Sequence, residues 1–508
     1  MSSVGSPKFR WKKVYRSPLS TTRKLVSTAL IPPREAVLAA ITGLAAALLP
    51  LPVFAVLLGG GLLGMVILVE PVLALVVTLS IAPLKTLIET EAPLQLPLDV
   101  GQITLFIFVG VWILRRVADR ERHFYYPKLL LFAIGYFLLM ASFSLWGAYS
   151  TSAFMTEMLK WAQILLLVFL VANTQRWQWA LFGVVLSAVL QAVIGLWEFT
   201  GGSGAAHLWI LDYRYFRAFG TFGQPNPFGA FMGMVLPLAL GTATGYGWSA
   251  YTARKWEPLW LALLYAGLSL VILAALLASW SRGAWLGFLG AGLVMALFFP
   301  KKRYYGLLAV AVMSVVFLGL WLGGVLPASL TARLTNFSQD FTGFGDVRGA
   351  VISDENFAVL ERLAHWQAAV EMANAHPLVG VGFGNYETAY PSFGLANWQN
   401  PLGHAHNYYL NVLAETGLIG FHSYFIMWGL IILQNWRLLK MPTPWQQRGI
   451  VVGLLGVWTY IAIHSFLDKL YVNNLFLHVG VMLGILAVLN QEMFVDHAQN
   501  SDSKCESC

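Results

Sequence analysis

Apolar runs of nearly membrane-spanning length, separated by short polar segments, follow one another along most of the chain. A transmembrane helix needs about 20 residues, so the shorter runs must include flanking residues. The predicted spans are Ile103–Leu114, Leu129–Trp146, Met158–Ala172, Trp179–Phe199, Pro227–Tyr246, Leu259–Trp280, Ala284–Phe299, Tyr305–Val325, Tyr408–Leu433, Ile450–Phe466 and Leu475–Leu489. With roughly one to three more in Ala36–Pro83, the pattern predicts an all-α polytopic membrane protein with about 12–14 transmembrane helices.

Composition excludes the soluble classes of protein. The 508 residues are 58% hydrophobic and 11% charged, whereas a soluble chain carries roughly 25% charged residues. The net charge of +8 is concentrated in loops and in the N-terminal segment, so membrane lipids rather than nucleic acid are the expected partners. Cys505 and Cys508 form a lone pair near the end of the sequence, for which a solvated tail is the simpler interpretation than a redox or metal role.

The basic residues predict which loops are cytoplasmic, because lysine and arginine concentrate on that side. Basic clusters lie at Arg115–Lys128, Arg254–Lys255, Lys301–Arg303 and Arg437–Arg448. Alternation then places outside the segments Thr200–Asn226, Ser281–Gly283, Leu326–His406 and Asp468–Asn474. Met1–Pro33 is basic and lacks acids, which favours a cytoplasmic tail over a cleaved signal peptide.

The predicted organisation has five parts: a basic tail (1–35), an N-terminal transmembrane bundle (36–325), a long extracytoplasmic loop (326–406), a C-terminal three-helix transmembrane segment (407–490) and a second cytoplasmic tail (491–508). Loops as long as the third part are usually functional. Within it, apolar spacing predicts a helix over Asn356–Ala375. Ser353 is the expected N-cap, and His376-Pro377 ends the helix.

Ionisable residues inside apolar sequence are functional-site hypotheses by default. Arg282 stands alone between two spans on the predicted outer side, where the alternative is an arginine that reaches the interface. Arg217 precedes Gly223-Gln-Pro-Asn226, and Asn226 is the predicted N-cap of a helix that opens at Pro227. Helix N-termini bind anions, so a phosphate or diphosphate ligand fits, although a purely structural loop is the simpler alternative.

His406 opens a span in which Asn407, Asn411 and Glu415 recur every four residues and form a polar stripe. Such a stripe must face protein or water, which makes His406 a candidate for chemistry as well as for structure. His404 and His406 could form a metal-binding pair, but no third ligand shows regular spacing, so we predict no metal.

Two further features lie on the predicted outer side. Asp468 and Lys469 either pair with each other, or Asp468 orients His406 or an arginine. The glycines of Gly380-Val-Gly382-Phe-Gly384 are interpreted as turns, because no βαβ unit follows that would support nucleotide binding.

These motifs resemble the bacterial O-antigen ligase/polymerase family. His406-Asn407, nine residues, Gly417, two residues and Gly420 match the pattern H-[NSQ]-x9-G-x2-G of that family. The order of the other matching motifs agrees, and the resemblance covers roughly residues 200–490. Those motifs are Arg217…Gly223-Gln-Pro-Asn226, Ser281-Arg282-Gly283, and Glu361-Arg362…Trp366…Pro377–Tyr386.

The resemblance implies a metal-independent inverting glycosyltransferase of the GT-C-like type that needs no cofactor. Such an enzyme moves a glycan from an undecaprenyl-diphosphate carrier to an acceptor at the periplasmic face of the bacterial cytoplasmic (inner) membrane. The acceptor is another glycan, lipid A–core or a protein. By motif, Arg217 and Arg282 would bind the diphosphate, and His406 would act at the acceptor hydroxyl. Glu415 and Asp468 are further catalytic candidates, and Arg362, Asn407, Asn411 and Asn226 complete the predicted substrate-binding set.

A membrane transporter is the alternative function, because a branch of the same family has been proposed to move bicarbonate. Transport sites usually lie near the membrane midplane on broken helices, whereas these ionisable residues cluster at predicted outer helix ends. The sequence therefore favours the enzyme. It leaves open whether the enzyme is a ligase, a polymerase or a protein O-glycosylating enzyme.

Overall fold

The structure is a computed structural model, and it describes residues 64, 67–68, 70–91, 98–202, 208–210, 214–325, 331, 346–352 and 356–505. The chain divides into two units, Met1–Val66 and Ile67–Cys508, and nearly all of the described residues belong to the second unit. The whole predicted N-terminal tail and most of the segment Ala36–Pro83 up to residue 69 lie outside the described residues.

Helices make up nearly all the regular structure in the described part of the chain. In chain order they are α1 (Pro71–Ile81), α2 (Lys85–Glu91), α3 (Val100–Ala118), α4 (Lys128–Ser142), α5 (Thr151–Ala172), α6 (Gln178–Phe199), α7 (Pro225–Ala253), α8 (Glu257–Ala278), α9 (Arg282–Phe298), α10 (Arg303–Leu322), α11 (Phe357–Ala375), α12 (Tyr386–Phe393), α13 (Tyr408–Lys440), α14 (Trp445–His464) and α15 (Leu475–Cys505). Short 3₁₀ turns cover Ala82–Leu84, Phe143–Gly147, Gly220–Phe222 and Val347–Gly349, and the antiparallel strands β1 (Trp209–Ile210) and β2 (Tyr215–Phe216) precede α7.

Ten helical segments in the described residues are long and apolar enough to cross a membrane, and α9 is a shorter apolar helix. The predicted all-α polytopic membrane protein is therefore confirmed. The last helix continues through Cys505, beyond the predicted end of its span at Leu489. The predicted total of about 12–14 spans stays a prediction, since much of the segment that would decide it lies outside the described residues.

Two helix starts differ from the prediction. Helix α7 begins at Pro225 with Gln224 as its N-cap, because a proline fits the first helical position whose N–H is unpaired anyway. Asn226 thus lies inside the first turn and its side chain is available to another partner. Helix α11 begins at Phe357 after the N-cap Asn356, so the cap is not Ser353, which lies outside the described residues.

The central contact of the bundle is a close crossing of α7 and α14. A Cβ at Gly241 would lie 2.5 Å from the Gly449 carbonyl oxygen, and a Cβ at Gly245 would lie 2.9 Å from Gly449 Cα. Only glycine lets the two backbones approach so closely, as in other membrane helix pairs. The apolar stretch of α7 is 89% buried, compared with 6% for α10, so α7 is central and α10 peripheral.

Helix α13 is interrupted at Gly417, where φ is 60° and ψ is −166°. The positive φ favours glycine, and the break frees backbone groups that a continuous helix would pair. The segment 377–382 supplies the missing partners: the Pro377 and Leu378 carbonyls accept from the amides of 418 and 419 at 2.8 and 3.2 Å. The amides of 381 and 382 donate to the carbonyls of 414 and 415, both at 2.9 Å.

The glycine-rich segment after α11 forms turns, as predicted. Gly380, Gly382 and Gly384 all have positive φ, a region that glycine enters without steric cost. These turns lay the segment against α13 and bring α11 and α12 over the end of the bundle where His406 lies. We call this the site end of the bundle.

Candidate functional site

Two histidines and one aspartate converge at the site end. His404 Nε2 lies 3.5 Å and His406 Nδ1 lies 3.6 Å from the same atom, Asp468 Oδ1. Asp468 belongs to the turn between α14 and α15, residues 465–474, which we call the α14–α15 turn. The distances exceed those of ordinary hydrogen bonds, but catalytic hydrogen bonds are often long in the absence of substrate.

A local hydrogen bond fixes the proton on His404. The backbone N–H of His406 donates to His404 Nδ1 at 3.1 Å, so in the neutral ring the hydrogen is carried by Nε2, the atom that faces Asp468. His406 itself has a positive φ of 50°, which is uncommon for a residue other than glycine. Its Nδ1 is buried and has no hydrogen-bond partner within ordinary reach.

The structure supplies the third potential metal ligand that sequence spacing did not show. His404, His406 and Asp468 have ligand atoms within 4.8 Å of one another. However, a hydrogen on His404 Nε2 leaves that atom no lone pair for a metal ion. The donor set therefore favours two hydrogen bonds to Asp468 over metal ligation.

The charges of this cluster follow from burial and from the contacts within it. Burial raises the pKa of Asp468, but the contact with His406 and the neighbouring His404 outweigh it and hold that pKa well below its ordinary range. Burial lowers the pKa of His404 to about 3. On α11, burial and then the nearby His406 lower the pKa of His365 to about 4. At neutral pH the Asp468 carboxylate therefore faces a neutral His404 ring.

Two residues of the polar stripe of α13 fix the backbone around His406. Asn407 is the N-cap of α13, and its Oδ1 accepts from the amides of Tyr409 and Leu410 at 3.1 and 3.2 Å. Asn411 Oδ1 accepts from the Ala405 amide at 3.2 Å. Both predicted substrate-binding asparagines therefore fix the turn that carries His406, and their role in binding stays a prediction.

Glu415, the third member of the stripe, lies deeper. It is 1% exposed, and its Oε1 accepts from the Tyr386 amide at 3.2 Å, while Oε2 has no hydrogen-bond partner. The structure therefore brings Glu415 to the segment that docks into the break of α13, and it forms no hydrogen bond with His406. A catalytic role for Glu415 stays a prediction.

Arg217 lies at the end of α8. Its Nε donates to the Ser279 carbonyl at 3.1 Å and its Nη2 to Asn226 Oδ1 at 3.1 Å. A positive side chain at a helix C-terminus is favourable, so Arg217 has a structural role in addition to any ligand. Asn226 is therefore not the predicted N-cap but a partner of Arg217, and its role in substrate binding stays a prediction.

Arg282 shares this corner, because it is the first residue of α9 and follows Ser279-Trp280-Ser281. The Ser281 amide donates to Ser279 Oγ at 3.3 Å, and Trp280 has a φ of 54°, a strained value for a bulky residue. We call Arg217, Ser279 and Arg282 the arginine corner. The structure thus brings together two arginines that are 65 positions apart in the sequence.

The α14–α15 turn links the arginine corner to His406. A Cβ at Gly283, next to Arg282, would lie 3.1 Å from Leu467. On the other side, the Tyr408 amide donates to the Ser465 carbonyl at 2.7 Å. Arg362 on α11 lies within electrostatic range of His464, the last residue of α14 before the same turn. Elements that carry or contact four of the candidate residues therefore pack on this turn or lead into it. These residues are Arg217, Arg282, Arg362 and His406.

Two buried polar residues of α6 were missed in the sequence. Glu198 accepts from the amides of Phe219 and Gly220 at 2.9 and 2.7 Å, and Gln191 accepts from the Thr221 amide at 3.0 Å. They hold the loop that carries Arg217. The signal in the sequence is Glu198 itself, because an acidic residue at the end of an apolar span is a functional-site hypothesis in the same way as Arg217 and Arg282.

Asp468 and Lys469 do not pair through their side chains. Lys469 Nζ lies 3.6 Å from Glu157 Oε1 on α5, and only its backbone amide donates to Asp468 Oδ1, at 2.9 Å. The predicted pairing is therefore wrong. Of the two alternatives weighed for Asp468, the structure supports its contact with His406.

The fold and the site define a multi-pass helical membrane protein with a polar cluster and an arginine corner at one end of its bundle. Residues 267–425 match the family model described as O-Antigen ligase. The match supports assignment of the chain to the O-antigen ligase/polymerase family, so the resemblance seen in the sequence is confirmed. The matched range contains Arg282, Arg362, His406, Asn407, Asn411 and Glu415, whereas Arg217, Asn226 and Asp468 lie outside it.

No curated protein matches the chain. The family match supports glycan transfer of the O-antigen ligase type in general and suggests substrates that are glycans or lipid-linked glycans. It gives no support to the transporter alternative.

Proposed function

We propose that this protein transfers a glycan from a polyprenyl-diphosphate carrier, of the undecaprenyl type, to an acceptor hydroxyl. The reaction proceeds with inversion and without a metal ion, at the outer face of the bacterial cytoplasmic membrane. The observation that carries the proposal is the contact of His406 with Asp468. Asp468 lies in the α14–α15 turn, which also packs on Gly283, the neighbour of Arg282 in the arginine corner.

The contact with Asp468 gives His406 the arrangement of a general base. If the proton on the His406 ring sits on Nδ1 and points at Asp468, then Nε2 keeps its lone pair and can accept a proton. An ionised carboxylate beside Nδ1 also stabilises the imidazolium that forms when the proton is taken, as in other aspartate–histidine pairs. The His406 side chain is 22% exposed, so an acceptor can reach it.

The chemical step is a single displacement. The acceptor oxygen attacks the anomeric carbon while His406 Nε2 takes its proton, and a new glycosidic bond forms. The bond between that carbon and the diphosphate oxygen breaks, and the electron pair leaves with the polyprenyl diphosphate. One displacement on one carbon gives inversion of configuration, because attack and departure occur on opposite faces.

The arginine corner supplies the positive charge that the leaving group needs. Guanidinium groups have forked donors that match phosphate oxygens, and preorganised charge is effective where a transition state becomes more negative. With Arg217 and Arg282 in this role, no divalent ion is required.

A reconstituted assay tests the proposal. Purified protein in nanodiscs receives a lipid-diphosphate glycan and an acceptor, and the anomeric configuration of donor and product is compared by NMR. We expect inversion and full activity in EDTA. Retention of configuration contradicts the single displacement, and loss of activity in EDTA that Mg²⁺ or Zn²⁺ restores contradicts the metal-independent step.

The acceptor is identified from the surface glycans of a deletion strain by mass analysis. Loss of polymer length with single repeats retained indicates a polymerase. Full-length polymer that remains on its lipid carrier indicates a ligase, and loss of glycan from proteins alone indicates O-glycosylation of protein.

The sidedness of the site is tested with single cysteines at Asp346 and Lys255, in a background where Cys505 and Cys508 are serine. Lys255 is exposed and avoids the positive φ of its neighbour Arg254. An impermeant thiol reagent added to intact cells should label position 346 only. Labelling of position 255 alone would reverse the assigned orientation.

A further inference from the structure

His404 is the one member of the converging cluster that the proposed reaction does not use. It lies two residues before His406 and makes two directed contacts, one from each ring nitrogen. Nδ1 accepts the backbone N–H of His406 at 3.1 Å, and Nε2 faces Asp468 Oδ1 at 3.5 Å. The ring centroids of the two histidines are 4.4 Å apart.

The first contact stabilises an uncommon backbone conformation. His406 has a φ of 50°, and such a conformation in a residue with a Cβ persists only where surrounding contacts determine it. The bond from the His406 amide to His404 Nδ1 is one of those contacts, and the Asn411 side chain makes another at Ala405. Together they set the direction in which the His406 ring leaves the backbone.

The second contact fixes the carboxylate that His406 uses. His404 Nε2–H and the Lys469 amide both address Asp468 Oδ1, the same oxygen that lies 3.6 Å from His406 Nδ1. A carboxylate held by donors on two sides has little freedom to rotate. Its position therefore selects the ring orientation in which His406 turns Nδ1 inward and Nε2 outward.

We propose that His404 is a positioning residue, which through the His406 amide and Asp468 holds His406 with Nε2 presented to the acceptor hydroxyl. The inference rests on the proposed function of His406 as the base. His404 performs this task as a neutral ring, so that it adds no positive charge beside the base. The other ionisable groups that face the cluster are His365 from α11, His464 from α14, and Lys469 from the α14–α15 turn.

The test separates the two contacts of His404. In His404→Asn the amide oxygen can replace Nδ1 as acceptor of the His406 N–H, while the donor to Asp468 is lost. His404→Ala removes both contacts. Groups that orient the histidine ligands of metal sites are worth roughly 10–100-fold; by analogy we expect kcat to fall by about that factor in His404→Ala and by less in His404→Asn. The KM for the lipid-diphosphate donor should stay unchanged in both.

A double-mutant cycle with Asp468→Asn distinguishes positioning from a general structural role. If His404 Nε2 acts only through the carboxylate, His404→Asn should have little further effect once Asp468 is already asparagine, because effects within one network are not additive. Full additivity of the two losses would overturn the inference. His422→Asn is the matched control, since His422 is exposed and its Nδ1 contacts only its own helix at the Leu418 carbonyl.

The same assay contains His406→Gln and a measurement of folded protein by size-exclusion chromatography and thermal unfolding. An active His406→Gln overturns the base role, and with it this inference. An inactive His406→Gln together with a His404→Ala that is folded and has wild-type kcat overturns only the role of His404.

Discussion

Asp468 and Lys469 are neighbours in the chain, yet they belong to two polar clusters of different character. Asp468 faces His404 and His406, whose side chains are 16% and 22% exposed. Lys469 faces Glu157 and, beyond it, Lys160, in a cluster where Lys469 is 9%, Glu157 4% and Lys160 25% exposed. We call these the open cluster and the sealed cluster.

The difference fits a role in the proposed reaction for the open cluster and a structural role for the sealed cluster. In the open cluster His406 Nδ1 has no close hydrogen-bond partner and substrate can reach the ring. In the sealed cluster the charges compensate one another: Lys160 Nζ lies 2.7 Å from Glu157 Oε2, and Glu157 and Glu415 raise the pKa of Lys469 in spite of its burial. Ionisable residues buried in a membrane protein are therefore not equivalent: the Glu157 carboxylate lies between two lysines, whereas Asp468 faces histidines whose rings are partly exposed.

The largest expected effect falls on the open cluster. His406→Gln should lower turnover by most of the roughly 10²–10⁴-fold that a positioned base contributes, because an amide accepts a hydrogen bond but does not carry off the proton. Donor binding should survive, since the diphosphate is assigned to the arginine corner. Steady-state turnover and donor affinity in nanodiscs measure both quantities. Wild-type turnover would remove His406 from the reaction and make Asp468 or Glu415 the next candidate.

The sealed cluster should respond in stability. Lys469→Met leaves Glu157 with Lys160 alone, and breaking a buried ion pair costs about 3–5 kcal/mol, so we expect a marked fall in the apparent unfolding temperature in detergent. Adding Glu157→Gln should recover part of the loss, because no unpaired charge then stays buried. Arg348→Met is the exposed control: Arg348 is 59% exposed and pairs loosely with Glu371, and such pairs contribute at most about 1 kcal/mol. Equal losses in the two single variants would contradict the distinction between the clusters.

The arginine corner is intermediate, because both of its arginines are partly exposed and Arg217 also makes structural bonds. Arg282→Ala and Arg217→Ala should each weaken binding of the lipid-diphosphate donor by about 10–100-fold, the value of a hydrogen bond to a charged group. Arg→Lys should restore only part of it, since charge remains but the forked geometry is lost. Arg217→Ala should also lower the unfolding temperature through its lost bond to Ser279. Unchanged donor affinity in both alanine variants would exclude the corner from the diphosphate site.

The smallest expected effect concerns pH. The pKa of His365 is lowered to about 4 and that of His404 to about 3, whereas an unfolded chain binds these protons near pH 6.5. The stability that these neutral rings contribute is therefore complete above about pH 6.5 and is lost as the pH falls from there toward 4. The raised pKa of Lys469 acts only at alkaline pH, so acid sensitivity should belong to the open cluster and the His365 ring beside it.

Thermal unfolding at pH 7 and pH 5 checks this assignment. The fall in unfolding temperature between the two values should be smaller in His365→Gln than in the wild type, with a limit of about 1.4 kcal/mol per pH unit for one histidine. His422→Gln, on an exposed histidine, should leave the difference unchanged. An equal effect of both substitutions would assign the acid sensitivity elsewhere.

Hydropathy predicted the helices well, because membrane solvation imposes both length and composition on a span. It also placed Arg217, Arg282 and His406 in segments that the structure brings to one end of the bundle. The starts of α7 and α11 were displaced by one or two residues, as local rules for Asn226 and Ser353 compete with prolines and with neighbouring caps.

The contacts between distant segments could not be predicted from one sequence. That Asp468 meets two histidines some 60 positions away depends on how α13 and α14 pack. The interruption of α13 was also missed, since Gly417 lies in a stretch whose hydropathy is continuous. The partners that satisfy the break come from residues 377–382, and no local pattern records such a pairing.

The interruption of α13 also has a consequence for how the protein is assembled. An α13 that kept this break without residues 377–382 would leave two amides and two carbonyls around Gly417 unpaired, each at a cost of several kcal/mol in a bilayer. Residues 377–382, which cover them, are synthesised before α13 emerges from the ribosome. We therefore expect the break to form only together with docking of residues 377–382, so that the final shape of α13 and the folding of the segment before it are coupled.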